Sequence, residues 1–175
     1  MQVIFPVQSE ILHSLKPGDE VFITGNLIVA RDRSYKKLAE AILAKEKLSL
    51  NLVGAGIFFA GPLPLARPAD PIIIGPTTSR RMDGFSPTLL SAGVKALIGK
   101  GPVSSEVAAA CQKYQSVYLQ VTGGVAAYLS QFVREMKLLL WPELGPEAVY
   151  NLTVEKMPAI VSIDTRGNTG YAFNS

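Results

Sequence analysis

Residues 71–101, PIIIGPTTSRRMDGFSPTLLSAGVKALIGKG, decide the fold, because they alternate strand and helix signals around a polar turn. Pro71–Ile74 is a short apolar, β-branched run that reads as a strand. Gly75-Pro76 opens a polar loop. Ser86-Pro87 through Gly93 then has the form of a capped helix, with Pro at its first position and Gly at its end. Val94–Ile98 reads as the next strand. Upstream, Lys16-Pro17-Gly18-Asp19 is a turn signal, Glu20–Gly25 a strand with Gly25 expected to bend the backbone, and Leu27–Ala30 a second short strand. From Asp32 to about Lys45 the apolar Leu38, Ala41 and Ile42 fall at helical spacing, and Asp32 or Ser34 is placed to cap that helix. Gly54–Ala60 is a further strand, followed by the turn-rich Gly61–Asp70. Downstream, Ser104–Tyr114 reads as helix, Val117–Val121 as strand, Gly124–Phe132 as short helix and Ala159–Ile163 as strand. Such alternation predicts an α/β fold with a largely parallel sheet, whose ligands bind at the carboxyl ends of strands.

Composition narrows the function classes. With 175 residues and 48% hydrophobic content, the chain suits a single compact domain over 1–175. Seventeen Lys and Arg face fourteen Asp and Glu, and the basic residues are scattered, which argues against nucleic acid as a partner. Its apolar runs are far shorter than the roughly 20 residues of a membrane span. The opening Met1–Pro6 lacks the basic and apolar regions of a secretory signal, so the expected compartment is cytoplasmic. A lone Cys111 gives no disulfide framework and no thiolate set for a metal centre within this chain.

Three polar clusters each follow an expected strand. In Arg31-Asp32 the guanidinium is suited to grip a carboxylate, or equally to a surface ion pair at a helix start. Gly75 to Asp83 sets the hydroxyls of Thr77, Thr78 and Ser79 beside Arg80 and Arg81, a pattern for oxyanion binding that a plain polar turn would not need. Gly99-Lys100-Gly101 would let the backbone bring an ammonium close to a ligand; a turn lysine is the bland alternative. Gly123-Gly124 fits either anion binding or close packing. His13 has no partners nearby in sequence, and Cys111, Trp141 and Phe58-Phe59 read as packing residues.

Taken in order, Arg31-Asp32, Gly61-Pro62, Gly75-Pro76-Thr77-Thr78-Ser79-x-Arg81-Met82-Asp83, Gly99-Lys100-Gly101, Gly123-Gly124 and the run from Pro158 to Asn168 resemble the β subunit of class I fumarate hydratases and L-tartrate dehydratases. The resemblance covers nearly the whole chain. It implies a swivelling β/β/α domain docked on an α subunit that carries a [4Fe-4S] cluster, in a heterotetramer of two αβ pairs. The implied reaction is reversible dehydration of a C4 hydroxydicarboxylate: malate to fumarate, with tartrate to oxaloacetate as the close variant.

By the same resemblance Arg31, Arg81 and Lys100 hold the substrate's carboxylates with Thr77 and Thr78 and stabilise the charge that builds up as the C–H proton is removed, which makes Arg81 and Lys100 catalytic residues beside Thr77, the match to the position of the catalytic base. Metal ligands are expected on the partner and not on this chain. One departure stands out: the family's Arg-Asp-x-x-His reads Arg31-Asp32-Arg33-Ser34-Tyr35 here, so a phenol replaces an imidazole. The rival reading is a non-catalytic small-anion-binding or regulatory module of the same fold.

Overall fold

Most apolar runs become strands, and the register between them decides where the polar clusters meet; of the run expected at Pro71–Ile74 only Ile74 does so among the described residues, because the strand there is Ile74–Pro76. The computed structural model describes residues 1–63, 72–122 and 126–171. β1 (Gln2–Phe5) leads through α1 (Ser9–His13) to β2 (Glu20–Ala30), α2 (Asp32–Leu43), β3 (Gly56–Pro62) and β4 (Ile74–Pro76). A 3-10 helix at Ser79–Phe85 runs into α3 (Ser86–Ser91), followed by β5 (Ala96–Gly99), α4 (Ser105–Tyr114), β6 (Val117–Gln120) and α5 (Ala126–Ser130). β7 (Val133–Leu140), a 3-10 turn at Pro142–Glu147 and β8 (Val149–Ile163) follow.

Strands β1, β2, β3, β5 and β6 pair in parallel, in that order. β8 then pairs antiparallel with both β6 and β2, so β2, β3, β5, β6 and β8 close into a ring. β7 flanks β8, and β4 pairs antiparallel with the end of β3. The domain is a single mixed α/β unit with a barrel-like closure, less uniformly parallel than the sequence pattern suggests. Only Ala159–Ile163 of the 15-residue β8 is evident in the sequence. Its pairings join segments far apart, such as Tyr150 with Val29, which local periodicity does not report.

Gly25 acts as expected and also joins what the sequence splits. The two short strands are one, β2, with a register shift between Ile23 and Gly25. There the backbone has φ +109°, and a Cβ would run into the Phe5 carbonyl of neighbouring β1, so only glycine fits. The helices expected from Asp32 and Ser86 form at those residues and the one expected from Ser104 starts at Ser105 with Ser104 as its N-cap, while part of the expected polar loop coils into the 3-10 helix. Within the described residues the helix expected at Gly124 spans Ala126–Ser130; Pro71 and Gly123-Gly124 lie outside them.

Alternation along the strands builds two cores. Val29, Phe58, Ile98 and Leu119 cluster with Val154 and Val161 in the ring's interior, together with Leu12 and Leu15 from the α1 region. Their neighbours Ile28, Ile57, Phe59, Leu97 and Tyr118 face Leu38 of α2, Leu89 of α3 and Val107 of α4. Each such fully buried aliphatic or aromatic side chain contributes roughly 1.5–3 kcal/mol over its exposed state. Because β2, β3, β5 and β6 run parallel, the segments after Ala30, Pro62, Gly99 and Gln120 gather at one rim. No helix among the described residues is long and apolar enough to cross a membrane.

Candidate functional site

Arg31 leaves β2 in extended geometry and becomes the N-cap of α2, while Asp32 follows with φ +30°, a strained value for a non-glycine residue. Asp32 is the hinge of the cluster. Its Oδ1 accepts from Arg81 Nε at 2.7 Å and its Oδ2 from Arg81 Nη2 at 3.1 Å. Arg31 Nε donates to the same Oδ2 at 3.4 Å. The Arg81 hydrogen bond pulls the Asp32 carboxyl below the usual aspartate range, with burial opposing and Arg31 assisting, so it stays anionic between two cations. This pairing spans the first and second sequence clusters. The sequence shows Asp32 only as a cap or a partner of its neighbour, and nothing in it connects position 32 to 81.

Arg81 keeps donors to spare. Asp32 occupies the Nε/Nη2 edge, which leaves the Nη1/Nη2 edge to take a carboxylate through two parallel bonds. Gly61 makes room for Arg31: a Cβ there would stand 2.9 Å from Arg31 Cδ and 2.8 Å from the Pro146 carbonyl oxygen.

Thr77 is 6% exposed and fixed by its backbone N–H, which donates to the Phe59 carbonyl of β3 at 2.7 Å. Among the described residues its hydroxyl has no hydrogen-bond partner. Thr78 is exposed, caps the 3-10 helix that carries Arg81, and forms a parallel bridge with Lys100. The Ser79 N–H donates to the Lys100 carbonyl at 3.2 Å. Tyr118, from β6, donates its hydroxyl to the Gly101 carbonyl at 2.6 Å and lies 2.9 Å from Ser79 Oγ. Gly99 lets that serine in, since a Cβ would meet its Oγ and the Phe59 ring. The Lys100 ammonium has no hydrogen-bond or ion-pair partner among the described residues. The structure therefore brings Arg31, Thr77, Thr78, Arg81 and Lys100 to one rim, linked through Asp32 on one side and the Thr78–Lys100 bridge on the other.

Tyr35 stands apart from this rim. It is fully buried, with its hydroxyl 3.1 Å from Ser86 Oγ and its ring edge-on to Phe59 at 5.1 Å. Burial raises its pKa above the ordinary tyrosine value, so the phenol keeps its proton. His13 is exposed, with Nδ1 3.4 Å from Thr165 Oγ1. Among the described residues no group of three His, Cys, Asp or Glu side chains converges, and the thiol of Cys111 is buried in α4. Those donors do not fit an iron–sulfur cluster.

Fold and site together define a mixed α/β domain that presents clustered cations and hydroxyls from the loops at one rim of a closed sheet. More narrowly, the chain belongs to the family described as Fumarase C-terminus, whose model matches residues 2–173. It is 34% identical over 175 residues to the L(+)-tartrate dehydratase subunit beta of Escherichia coli (strain K12), covering 97% of this chain and 85% of that one. It is 37% identical over 150 residues to the anaerobic class I fumarate hydratase of the same strain, covering 83% of this chain and 27% of the relative. Fumarate hydratase 2 of Leishmania major is 36% identical over 157 residues, covering 89% of this chain and 28% of the relative. These relatives are hydro-lyases, and in the two hydratases the matching segment is a minor part of a longer chain.

Proposed function

We propose that this chain is the β subunit of an iron–sulfur hydro-lyase that reversibly dehydrates a C4 hydroxydicarboxylate, malate to fumarate, with tartrate to oxaloacetate as the close variant. Residues 1–175 form one hydro-lyase β-type domain of the swivelling β/β/α kind. It works in the cytoplasm against an α subunit that holds the [4Fe-4S] cluster, as two αβ pairs.

The observation that carries this reading is the Arg81–Asp32–Arg31 arrangement beside Lys100. Asp32 pairs with both Arg31 and Arg81, so these two guanidiniums and the Lys100 ammonium outnumber the carboxylate they share, as the grip of a C4 dicarboxylate dianion requires. The free edge of Arg81 takes one carboxylate in bidentate fashion, with Arg31, Lys100 and the Thr78 hydroxyl completing the grip. Dehydration breaks a C–H bond next to a carboxylate and a C–O bond on the adjacent carbon, forms the double bond and releases water. Charge builds on the carboxylate beside the departing proton, and fixed cations already aimed there stabilise it without reorganising. Thr77 is the group that takes the proton. Its hydroxyl is a weak base in water, so the neighbouring cations and the partner subunit supply the tuning.

Anaerobic co-expression with the α subunit tests this, with fumarate absorbance followed on adding malate and tartrate assayed in parallel. Turnover is expected only when both chains are present. Arg81→Ala in that complex is expected to lower kcat/KM by about a hundredfold or more while the chain still folds. Near-normal activity overturns the assignment.

A further inference from the structure

Asp83 closes the Gly75–Asp83 motif, yet neither the fold nor the proposed grip gives it a task. It lies two residues beyond Arg81 on the same 3-10 helix and is 8% exposed. Its Oδ2 accepts the backbone N–H of Ser104 at 2.7 Å. Ser104 is the N-cap of α4, so the carboxylate sits where unpaired N–H groups and the helix dipole favour negative charge. Burial pushes its pKa up, and the Ser104 bond opposes that rise. Its other oxygen, Oδ1, and the Ser104 hydroxyl are both buried without a partner among the described residues.

Between β5 and Ser104 runs the loop that bears Lys100. Its near end is held by the Thr78 bridge and the Ser79 N–H, and its middle by the Tyr118 hydroxyl on the Gly101 carbonyl. The Val103 N–H reaches the Tyr171 hydroxyl at 3.3 Å. Gly101 itself has φ +75° and open space where a Cβ would stand, so this point offers little steric resistance to movement. Asp83 ties the far end of that loop back to the turn that carries Arg81.

We infer that Asp83 is a positioning residue, which braces the Lys100 loop against the Arg81 turn and so sets the spacing of the two cations that grip the diacid. The inference rests on the roles proposed above for Arg81 and Lys100. Without the brace the loop spends only part of its time in the gripping position. Apparent substrate affinity falls by that fraction, while the bound complex, once the loop is re-formed, reacts at its usual rate.

The test has two arms. In the isolated chain, Asp83→Ala is expected to speed amide hydrogen exchange about tenfold at Gly101, Val103 and Ser104, with β5 and β6 unaffected. Asp83→Asn should leave exchange near wild type, because an amide keeps the acceptor for the Ser104 N–H and can donate to the Ser104 hydroxyl. In the assembled enzyme, Asp83→Ala should raise KM about tenfold with kcat held within about twofold, and Asp83→Asn should restore KM. A merely structural defect would remove active protein, lowering kcat and leaving KM alone. Unchanged loop exchange in Asp83→Ala, or an Asn variant as impaired in KM as the Ala variant, overturns the inference. If the wild-type complex turns over no diacid, the proposed function fails; the exchange arm, measured on the free chain, still decides whether Asp83 braces the loop.

Discussion

Removing Asp32 should uncouple Arg81 from the rim, and the size of the effect follows from the geometry. Arg81 reaches the carboxylate through two bonds of 2.7 and 3.1 Å, with Arg31 adding a third at 3.4 Å. The Asp32 side chain is 26% exposed but that of Arg81 is 51% exposed, so water screens much of the attraction. A bidentate pair at this exposure contributes about 1 kcal/mol, the upper end for exposed pairs. In a domain of this size that corresponds to about 2–4 °C in Tm. Thermal melts of the isolated chain carrying Asp32→Ala, Arg81→Ala and both changes should give a coupling of about 1 kcal/mol at pH 7, shrinking at high salt. The pH dependence has a definite sign. The folded carboxyl is held below its ordinary value, chiefly by the Arg81 hydrogen bond, so its stabilisation is present above the unfolded value of about 3.9. It is lost as pH falls through the lower folded value. Coupling under about 0.3 kcal/mol at pH 7, or coupling undiminished through the carboxylate range, would refute the pairing argument.

Tyr35→Phe keeps the edge-on ring packing and deletes only the bond to Ser86, whose hydroxyl still donates to the Met82 carbonyl at 3.0 Å. Chemical denaturation should show a loss of about 0.5–1 kcal/mol, and turnover in the complex should stay within about twofold; a larger loss of turnover would mean the phenol reaches the substrate. Gly61→Ala forces a methyl toward the Pro146 backbone oxygen, which cannot yield as a side chain can, and should cost about 1–3 kcal/mol in denaturant. The same change should raise KM by crowding Arg31; a variant of wild-type stability and KM would show that the contact relaxes freely. The Cys111 thiol, buried in α4, has its pKa pushed up to about 12, so a thiol reagent at pH 8 should label it only on unfolding. Rapid labelling of the native chain would contradict that burial.

Much of this site is legible because each cluster follows an apolar run that must be a strand. Arg31, Thr77 and Lys100 could be placed at strand ends before any pairing was known; parallel β2 and β5 carry Arg31 and Lys100 to one rim, whereas Thr77 arrives there by the antiparallel β4, which the pattern does not show. The helices were equally readable where caps and punctuation coincide, as at Ser86-Pro87 and Gly93. What escaped has a common physical cause: it depends on contacts between distant segments. β7 reads poorly because Arg134, Glu135, Lys137, Leu138 and Leu139 are all exposed, so no buried face imposes alternation. The Asp32–Arg81 pair and the Asp83–Ser104 tie each need the folded ring before their partners are neighbours. Tyr35 marks the opposite case. A substitution that looks chemical in the motif belongs, in three dimensions, to the packing between α2, α3 and β3.

Of the described strands, the one that closes the ring is also the last to be synthesised. Until residues 149–163 have left the ribosome, β2 and β6 each expose an unpaired edge, and Val154, Met157, Ala159 and Val161 are missing from the interior they fill. A nascent chain stopped short of β8 therefore carries two open, apolar edges, the condition under which chains pair with one another instead of with themselves. Folding of this domain for that reason waits on the emergence of β8.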